Sequence, residues 1–405
     1  TITMSMAKDI GAIPPELGGT DRSSSIDIRR LSNVVKEAAT RSSRLKLASS
    51  GLTQLRLTNM RLHGREDYLK YLKSKLNHLA RRDSVAISAN ADGVNDRNVT
   101  AAMPPELVLV SGVSGVGKSA LVMRGLRDPA QSAGIVFAGG KFDLNNAALP
   151  LQAFEDAMSV VTNHVMKQNN CADKIKGDIV QAFGEDDTIV RAMPGCSDLF
   201  PHTKVDSHLR ESILAPTKES VTRIQYAIRT LLKIICTHLK GVVLFIDDLQ
   251  WSDTATLDLL KSISQDSEIP SLLLVGAYRE DEVPETHPLA IHIRDFKEHN
   301  GDYFSTIKIG SLSQDNVNHL VAEALGMEGD ENEVETLSAT IHSKTGGNAF
   351  FVLIFLRSLH EEELIKFNFT AMKWNWNDDA VKTKLVTENI ATAVIRKLKR
   401  LGKVH

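Results

Sequence analysis

The chain has 405 residues, 42% hydrophobic and 24% charged, enough for two or three domains with substantial cores. Its 48 basic and 50 acidic residues leave a net charge of −2, so no global field draws nucleic acid or an anionic membrane, and any such contact has to be local. Three widely spaced cysteines without a CxxC pair fit a reducing, cytoplasmic compartment and offer no metal site, and no apolar run is long enough for a membrane span or a signal-peptide core.

Residues 1–60 are rich in Ser, Thr and Arg, with Pro14-Pro15, Gly18-Gly19 and a serine run from Ser23, and are expected to be a mobile arm. His63-Gly64-Arg65-Glu66 then leads into Tyr68, Leu69, Leu72 and Leu76, spaced for a helix with one apolar face and acidic residues in its first turn. Ala89 to Asn98 reads as a polar loop.

Leu107 to Val110 is a buried-strand pattern, followed by Gly112-Val113-Ser114-Gly115-Val116-Gly117-Lys118-Ser119-Ala120 and a helix from Ser119 to Arg127, closed by Asp128-Pro129. This is a phosphate cradle. Its three glycines permit close backbone approach, successive N–H groups can converge on an anion, and the helix N-terminus adds positive dipole at the same point. Lys118 would reach the β- and γ-phosphates and Ser119 would take one magnesium position.

A second strand is expected over Gly134 to Phe142, then helices through residues 151–240 broken near Met193-Pro194-Gly195, then a strand Gly241 to Ile246 ending in Asp247-Asp248. Ser252 or Asp253 would cap the next helix. Strands over Ser271 to Tyr278, before Arg279, and over Phe304 to Ile309 complete five. Strands alternating with helices indicate a parallel sheet covered on both faces, with ligands beyond the strands' carboxyl ends, where the glycine loop, Asp247-Asp248 and Arg279 all fall. Beyond Gly310 the pattern is helical: one helix runs from Ser313 to Gly326, another stops at Thr345-Gly346-Gly347, and a third follows Asn348. A small hairpin (Leu364 to Phe369, Lys373 to Trp376) and a closing helix with a basic run from Arg396 to Lys403 end the chain. Stopping there, it is expected to be a segment of something longer.

Cleaving a terminal phosphate takes positioning, charge neutralisation and an oriented water. Ser119 and Asp247 would hold magnesium, and Asp248, directly after it, is placed to polarise the water; an acidic helix start is the other account of that pair. Arg279 could stabilise the γ-phosphate, or pair with Glu280 or Asp281 at the surface. Trp251 reads as a packing anchor ahead of a base-stacking platform. No Asn-Lys-x-Asp stretch follows the fourth strand, so adenine is favoured over guanine by elimination.

The ordered set Gly64-Arg65-Glu66, Gly112 to Ser119, Gly140-Lys141-Phe142-Asp143, Phe245 to Trp251, Gly276 to Glu280 and Thr345 to Asn348 resembles the STAND class of signal-transduction ATPases. Within it, the set is most similar to the origin-recognition-like AAA ATPase module of large sensor kinases and cyclases. The resemblance covers about residues 60–380. It implies a P-loop NTPase three-layer sandwich over 61–310, a helical lid over 311–362 and a truncated winged-helix-like segment over 363–405. It further implies a nucleotide switch, closed around ADP and opened or oligomerised by ATP, with slow hydrolysis resetting it and signalling partners or fused effector domains around it. Gly64 and Arg65 would line the adenine site, and Arg279 matches the sensor arginine. Ala349 stands where family members carry proline. A non-hydrolysing nucleotide-binding scaffold is the alternative, and a DNA-associated ATPase a weaker one, given the near-zero charge.

Overall fold

The apolar runs read from the sequence are two-faced strands. In β1 (Glu106–Gly112), Leu107 and Leu109 pack into one core while Val108 and Val110 pack into another. The same split holds in β3 (Val242–Asp247) and β4 (Leu272–Arg279). Strands buried on both sides read as continuous hydrophobic stretches, the mark of a covered parallel sheet. With β2 (Val136–Lys141) and β5 (Phe304–Lys308) they form one parallel sheet in the order β2-β3-β4-β1-β5. The computed structural model describes residues 54–58, 60–91, 103–142, 151–201 and 218–384.

One face of the sheet is covered by α1 (Glu66–Ala91), through Leu72 and Leu76, and by α2 (Lys118–Val122), through Leu121. The opposite face carries α4 (Gln152–Met166), α5 (Asn169–Phe183), α6 (Thr188–Ala192), α7 (Lys218–His238) and α8 (Thr254–Ser264), with Phe154, Met158, Ile175, Leu231 and Leu257 fully buried there. Helix α9 (Pro288–His299) adds Leu289 and Phe296 to that layer. This is the three-layer α/β sandwich of P-loop NTPases.

Several local expectations change. The helix after the glycine loop begins at Lys118 and does not stop at Asp128-Pro129. A π turn (Met123–Arg127) carries it into α3 (Asp128–Ala133), whose first turn accepts Pro129 because an N–H there needs no helical partner. Gly134, left-handed at φ 73°, ends that helix, so β2 starts two residues later than the pattern indicates. Helix α1 runs through Ala91, which removes Ala89 to Ala91 from the polar loop. The break at Met193 is a 3₁₀ turn, Pro194–Leu199. The rest of that polar loop, Asp143, the arm up to residue 53 and the closing basic helix lie outside the described residues.

After β5 come α10 (Gln314–Leu325), capped by Ser313 and closed by Gly326, α11 (Glu335–Thr345), closed by Gly346, and α12 (Ala349–Glu361), capped by Asn348. All of these, with residues from Arg56, belong to one compact unit. Strands β6 (Ile365–Asn368) and β7 (Lys373–Trp376) form a hairpin in which Phe367 meets Trp374 edge-on at 5.6 Å, and Asn368 Oδ1 accepts the N–H groups of Thr370 and Ala371 in the turn. A short helix, α13 (Asp378–Thr383), follows, capped by Asn377.

Candidate functional site

Strand β1 delivers the chain to Gly112 and α2 takes it away at Lys118. Between them Gly112, Gly115 and Gly117 hold φ of 152°, 83° and 101°, angles a side chain resists. Every carbonyl along this loop has a donor. Lys118 Nζ donates to Gly112 O at 2.9 Å and Val113 O at 3.0 Å. Asn348 Nδ2 donates to Ser114 O at 2.8 Å, and the Phe350 N–H to Gly115 O at 3.0 Å. Arg65 Nη2 donates to Val116 O at 3.4 Å, and the Leu121 N–H to Gly117 O at 2.9 Å. By contrast, the N–H groups of Ser114 to Gly117 have no acceptor among the described residues. Buried backbone groups are normally paired, so this asymmetry marks the N–H side as the ligand side.

Two aspartates close the floor. Ser119 Oγ donates to Asp247 Oδ2 at 2.7 Å, and Asp247 Oδ1 accepts the Asp248 N–H at 3.0 Å. Asp248 sits in the left-handed region at φ 57°, a conformation that costs a non-glycine residue energy and concentrates at functional sites. Its Oδ1 accepts from Gln250 Nε2 at 2.9 Å, and its Oδ2 faces Lys141 Nζ at 3.0 Å. Burial raises the Asp248 carboxyl, but those hydrogen bonds and the charges of Lys141 and Arg279 outweigh it and hold the group below the usual carboxylate range. Burial, reinforced by the charge of Arg279, lowers Lys118.

Arg279 ends β4 directly beside Gly112 in the sheet register. Its surface partner is neither Glu280 nor Asp281. Glu280 is taken by Lys308 at 2.6 Å, and Arg279 Nη1 pairs with Glu282, one helical turn on, at 2.6 Å. Its Nε approaches Asp248 Oδ1 at 3.4 Å, and the guanidinium lies 4.7 Å from the centroid of Trp251. The indole N–H donates to Glu282 Oε2 at 3.0 Å. Trp251 thus anchors the arginine.

These groups meet in a cleft of about 460 Å³ lined by Ser114 to Ala120, Arg65, Asp247, Asp248 and Arg279. Gly112, Val113 and Gly64 are not among its lining residues. The carbonyls of the first two accept from Lys118, which does line it, and Gly64 packs on Asn316 of α10. Arg65 directs its guanidinium at backbone, donating also to Gly310 O at 2.5 Å. The pattern of the sequence did not reveal Gln250, Glu282, Lys141 as the partner of Asp248, or the apolar end of the cleft built from Leu57, Met60, Leu62, Leu320 and Leu353.

Residues 97–275 match the AAA ATPase domain family. This AAA ATPase-like, nucleotide-binding segment runs from ahead of β1 into β4 and contains the glycine loop and both aspartates. The chain is also 25% identical over 368 residues to the hybrid signal transduction histidine kinase G of Dictyostelium discoideum, covering 74% of this chain and 10% of that protein; it therefore spans a small part of that relative. Among solved structures, the ORC2 protein of Aeropyrum pernix in its ADPNP-ADP complexes is 12% identical at a TM-score of 0.42, covering 82% of this chain and 71% of that one. A Walker-type ATPase of Pyrococcus abyssi is 10% identical at 0.41, covering 86% and 78%. Cdc6p of Pyrobaculum aerophilum is 11% identical at 0.40, covering 76% and 65%. Among the described residues, no helix is long and apolar enough to cross a membrane.

Proposed function

We propose that this chain is an adenine-nucleotide switch. It binds ATP or ADP with magnesium, hydrolyses ATP slowly to ADP and phosphate, and passes the change to α10, α11 and α12, which act as a lid over the 61–310 core. The observation that carries the reading is the one-sided hydrogen bonding of the loop, whose carbonyls are all engaged while its N–H groups and Lys118 surround one space. Magnesium, when bound, neutralises phosphate charge; the Ser119 hydroxyl and Asp247 carboxylate are the hard oxygens that fit it, with phosphate and water completing the shell. Asp248 would take the proton of the attacking water, and Arg279 would steady charge on the γ-phosphate.

The signalling part of the proposal draws on the resemblance to sensor-kinase modules and on the similarity to a hybrid histidine kinase. Signalling proteins or fused effector domains would read the switch in the cytoplasm, with a nucleotide-dependent oligomer as one output. A net charge of −2 argues against duplex DNA as the partner.

The test is calorimetric titration of Lys118→Ala, with folding checked by thermal melting. Losing a hydrogen bond to a charged group costs about 1.5–3 kcal/mol, so ATP should bind roughly 10- to 100-fold more weakly. Unchanged affinity in a folded sample overturns the reading. One observation favours a second reading, a binding module without meaningful turnover: both carboxylate oxygens of Asp248 already have partners. Purified protein holding ADP that does not exchange, with no phosphate release with or without magnesium, would select it.

A further inference from the structure

The apolar part of the cleft's lining includes Leu57, Met60 and Leu62, which with His63 come from the stretch just ahead of α1. Among the described residues, every hydrogen bond that leaves 56–63 for another element ends on α10 or the turn after it. The Arg56 N–H donates to Ala324 O at 2.8 Å, the Arg61 N–H to Glu323 Oε1 at 3.1 Å and Oε2 at 3.2 Å, and Arg61 Nη2 to Glu328 Oε1 at 2.6 Å. His63 Nε2 meets Glu323 Oε2 at 2.5 Å, and its ring stacks on His319 at 6.1 Å.

Two residues later the attachment changes. Arg65 donates to Val116 O in the glycine loop and to Gly310 O after β5. The change falls at Gly64, at φ 66°, where an added Cβ would lie 2.3 Å from Asn316 Nδ2. The glycine loop is therefore held by Lys118, Arg65 and the amino end of α12, whereas the 56–63 strap is held by α10; Leu320 of α10 and Leu353 of α12 line the same cleft.

We propose that Glu323 is a positioning residue for the nucleoside half of the ligand: its carboxylate, receiving the Arg61 N–H and His63, fixes the strap so that Met60, Leu62 and His63 form the base wall. The inference rests on the nucleotide reading above. It makes base affinity and phosphate affinity separable, because Glu323 holds the strap and makes no hydrogen bond to the glycine loop among the described residues. Glu323 is suited to the task. Burial raises its carboxyl, but the Arg61 N–H, His63 and the Arg61 charge outweigh this and keep it ionised below the usual carboxylate range.

The experiment titrates the full chain with ATP and, separately, with inorganic tripolyphosphate, in wild type, Glu323→Ala, Glu323→Gln and Lys118→Ala. Glu323→Ala should weaken ATP about tenfold, the scale of one charge-assisted hydrogen bond, and leave tripolyphosphate unchanged. Glu323→Gln, which still accepts the Arg61 N–H, should recover part of the loss, and Lys118→Ala should weaken both ligands. ATP and tripolyphosphate falling together in the Glu323 variants, or neither falling, overturns the proposal. Should Glu323→Ala fail to fold, Glu323→Gln decides by the same comparison. Wild type that binds neither ligand overturns the nucleotide reading, and this inference with it.

Discussion

Lys141 Nζ stands 3.0 Å from Asp248 Oδ2, across the β2/β3 register that pairs Lys141 with Asp247. The ammonium holds the carboxylate both in place and in its charged form; in turn Asp248 outweighs the effect of burial on Lys141 and raises it. A base whose folded pKa is depressed stays deprotonated below the usual carboxylate range and is lost only as pH falls through that lowered value. Removing the cation raises the value. In Lys141→Ala the acid limb of the phosphate-release profile should move to higher pH, and an unmoved limb would separate Lys141 from the chemistry.

Asp248→Asn keeps the shape of the side chain and removes its basicity. Turnover should fall by about 10²- to 10⁴-fold, the range for general-base catalysis, while ATP affinity stays near that of wild type. Steady-state phosphate release together with equilibrium titration checks both halves.

Arg279 is held over the Trp251 ring and by two carboxylates at once, and lysine cannot reproduce that fork. Arg279→Lys should therefore lose turnover nearly as far as Arg279→Ala, roughly 10²-fold, the scale of one preorganised charge donor. Rescue by lysine would show that charge alone suffices.

Gly347 lies at φ 69°, and a Cβ there would fall 2.2 Å from Leu312 O. Gly117, at φ 101°, has open space around a built Cβ. Each alanine adds about 1–3 kcal/mol of backbone strain, but only Gly347→Ala also collides with main chain. Denaturant midpoints should drop further for Gly347→Ala, and ATP affinity further for Gly117→Ala.

At the other end of β1, Glu106 is buried against Lys75 Nζ at 2.8 Å and His78 Nδ1 at 2.5 Å of α1. Burial raises this carboxyl, and Lys75 and His78 bring it below its ordinary value. A depressed carboxylate stabilises the fold above its unfolded pKa and loses that contribution as pH falls through the folded one. Glu106→Gln should cost about 1–3 kcal/mol at neutral pH, with the gap to wild type closing in acid. Thermal melts across the acid range measure it.

Much of this architecture was legible because its signals are local. Continuous apolar runs marked β1, β3 and β4, whereas β2 and β5 hold glycine or polar residues within them; Ser313, Asn348 and Asp253, the last with Ser252 as its alternative, were readable as helix caps since each of the three accepts an N–H two or three residues on. The glycine loop, Asp247 and Arg279 were expected at strand ends, and that is where they lie. What the sequence hid lies in long-range and main-chain partners. Asn348 reaches Ser114 across 234 residues, and it binds a carbonyl, which leaves no trace in side-chain patterning. Residues 56–60 of the strap share the arm's Ser-, Thr- and Arg-rich setting, whereas the strap's attachment runs through the backbone of Arg56 and Arg61. Asp128-Pro129 signals a stop in the sequence, because a π turn that carries a helix past a proline has no sequence signature.

The glycine loop is gripped from behind by Asn348 and Phe350 at the amino end of α12 and by Arg65 ahead of α1, each at a different carbonyl. A peptide plane that tilts its N–H toward an anion must tilt its oxygen the opposite way, so any adjustment on the front of the loop is written onto its back. On the proposed nucleotide switch, the loop would serve as transducer as well as receptor, and the first atoms to register the arrival or departure of a phosphate would be those at the amino end of α12.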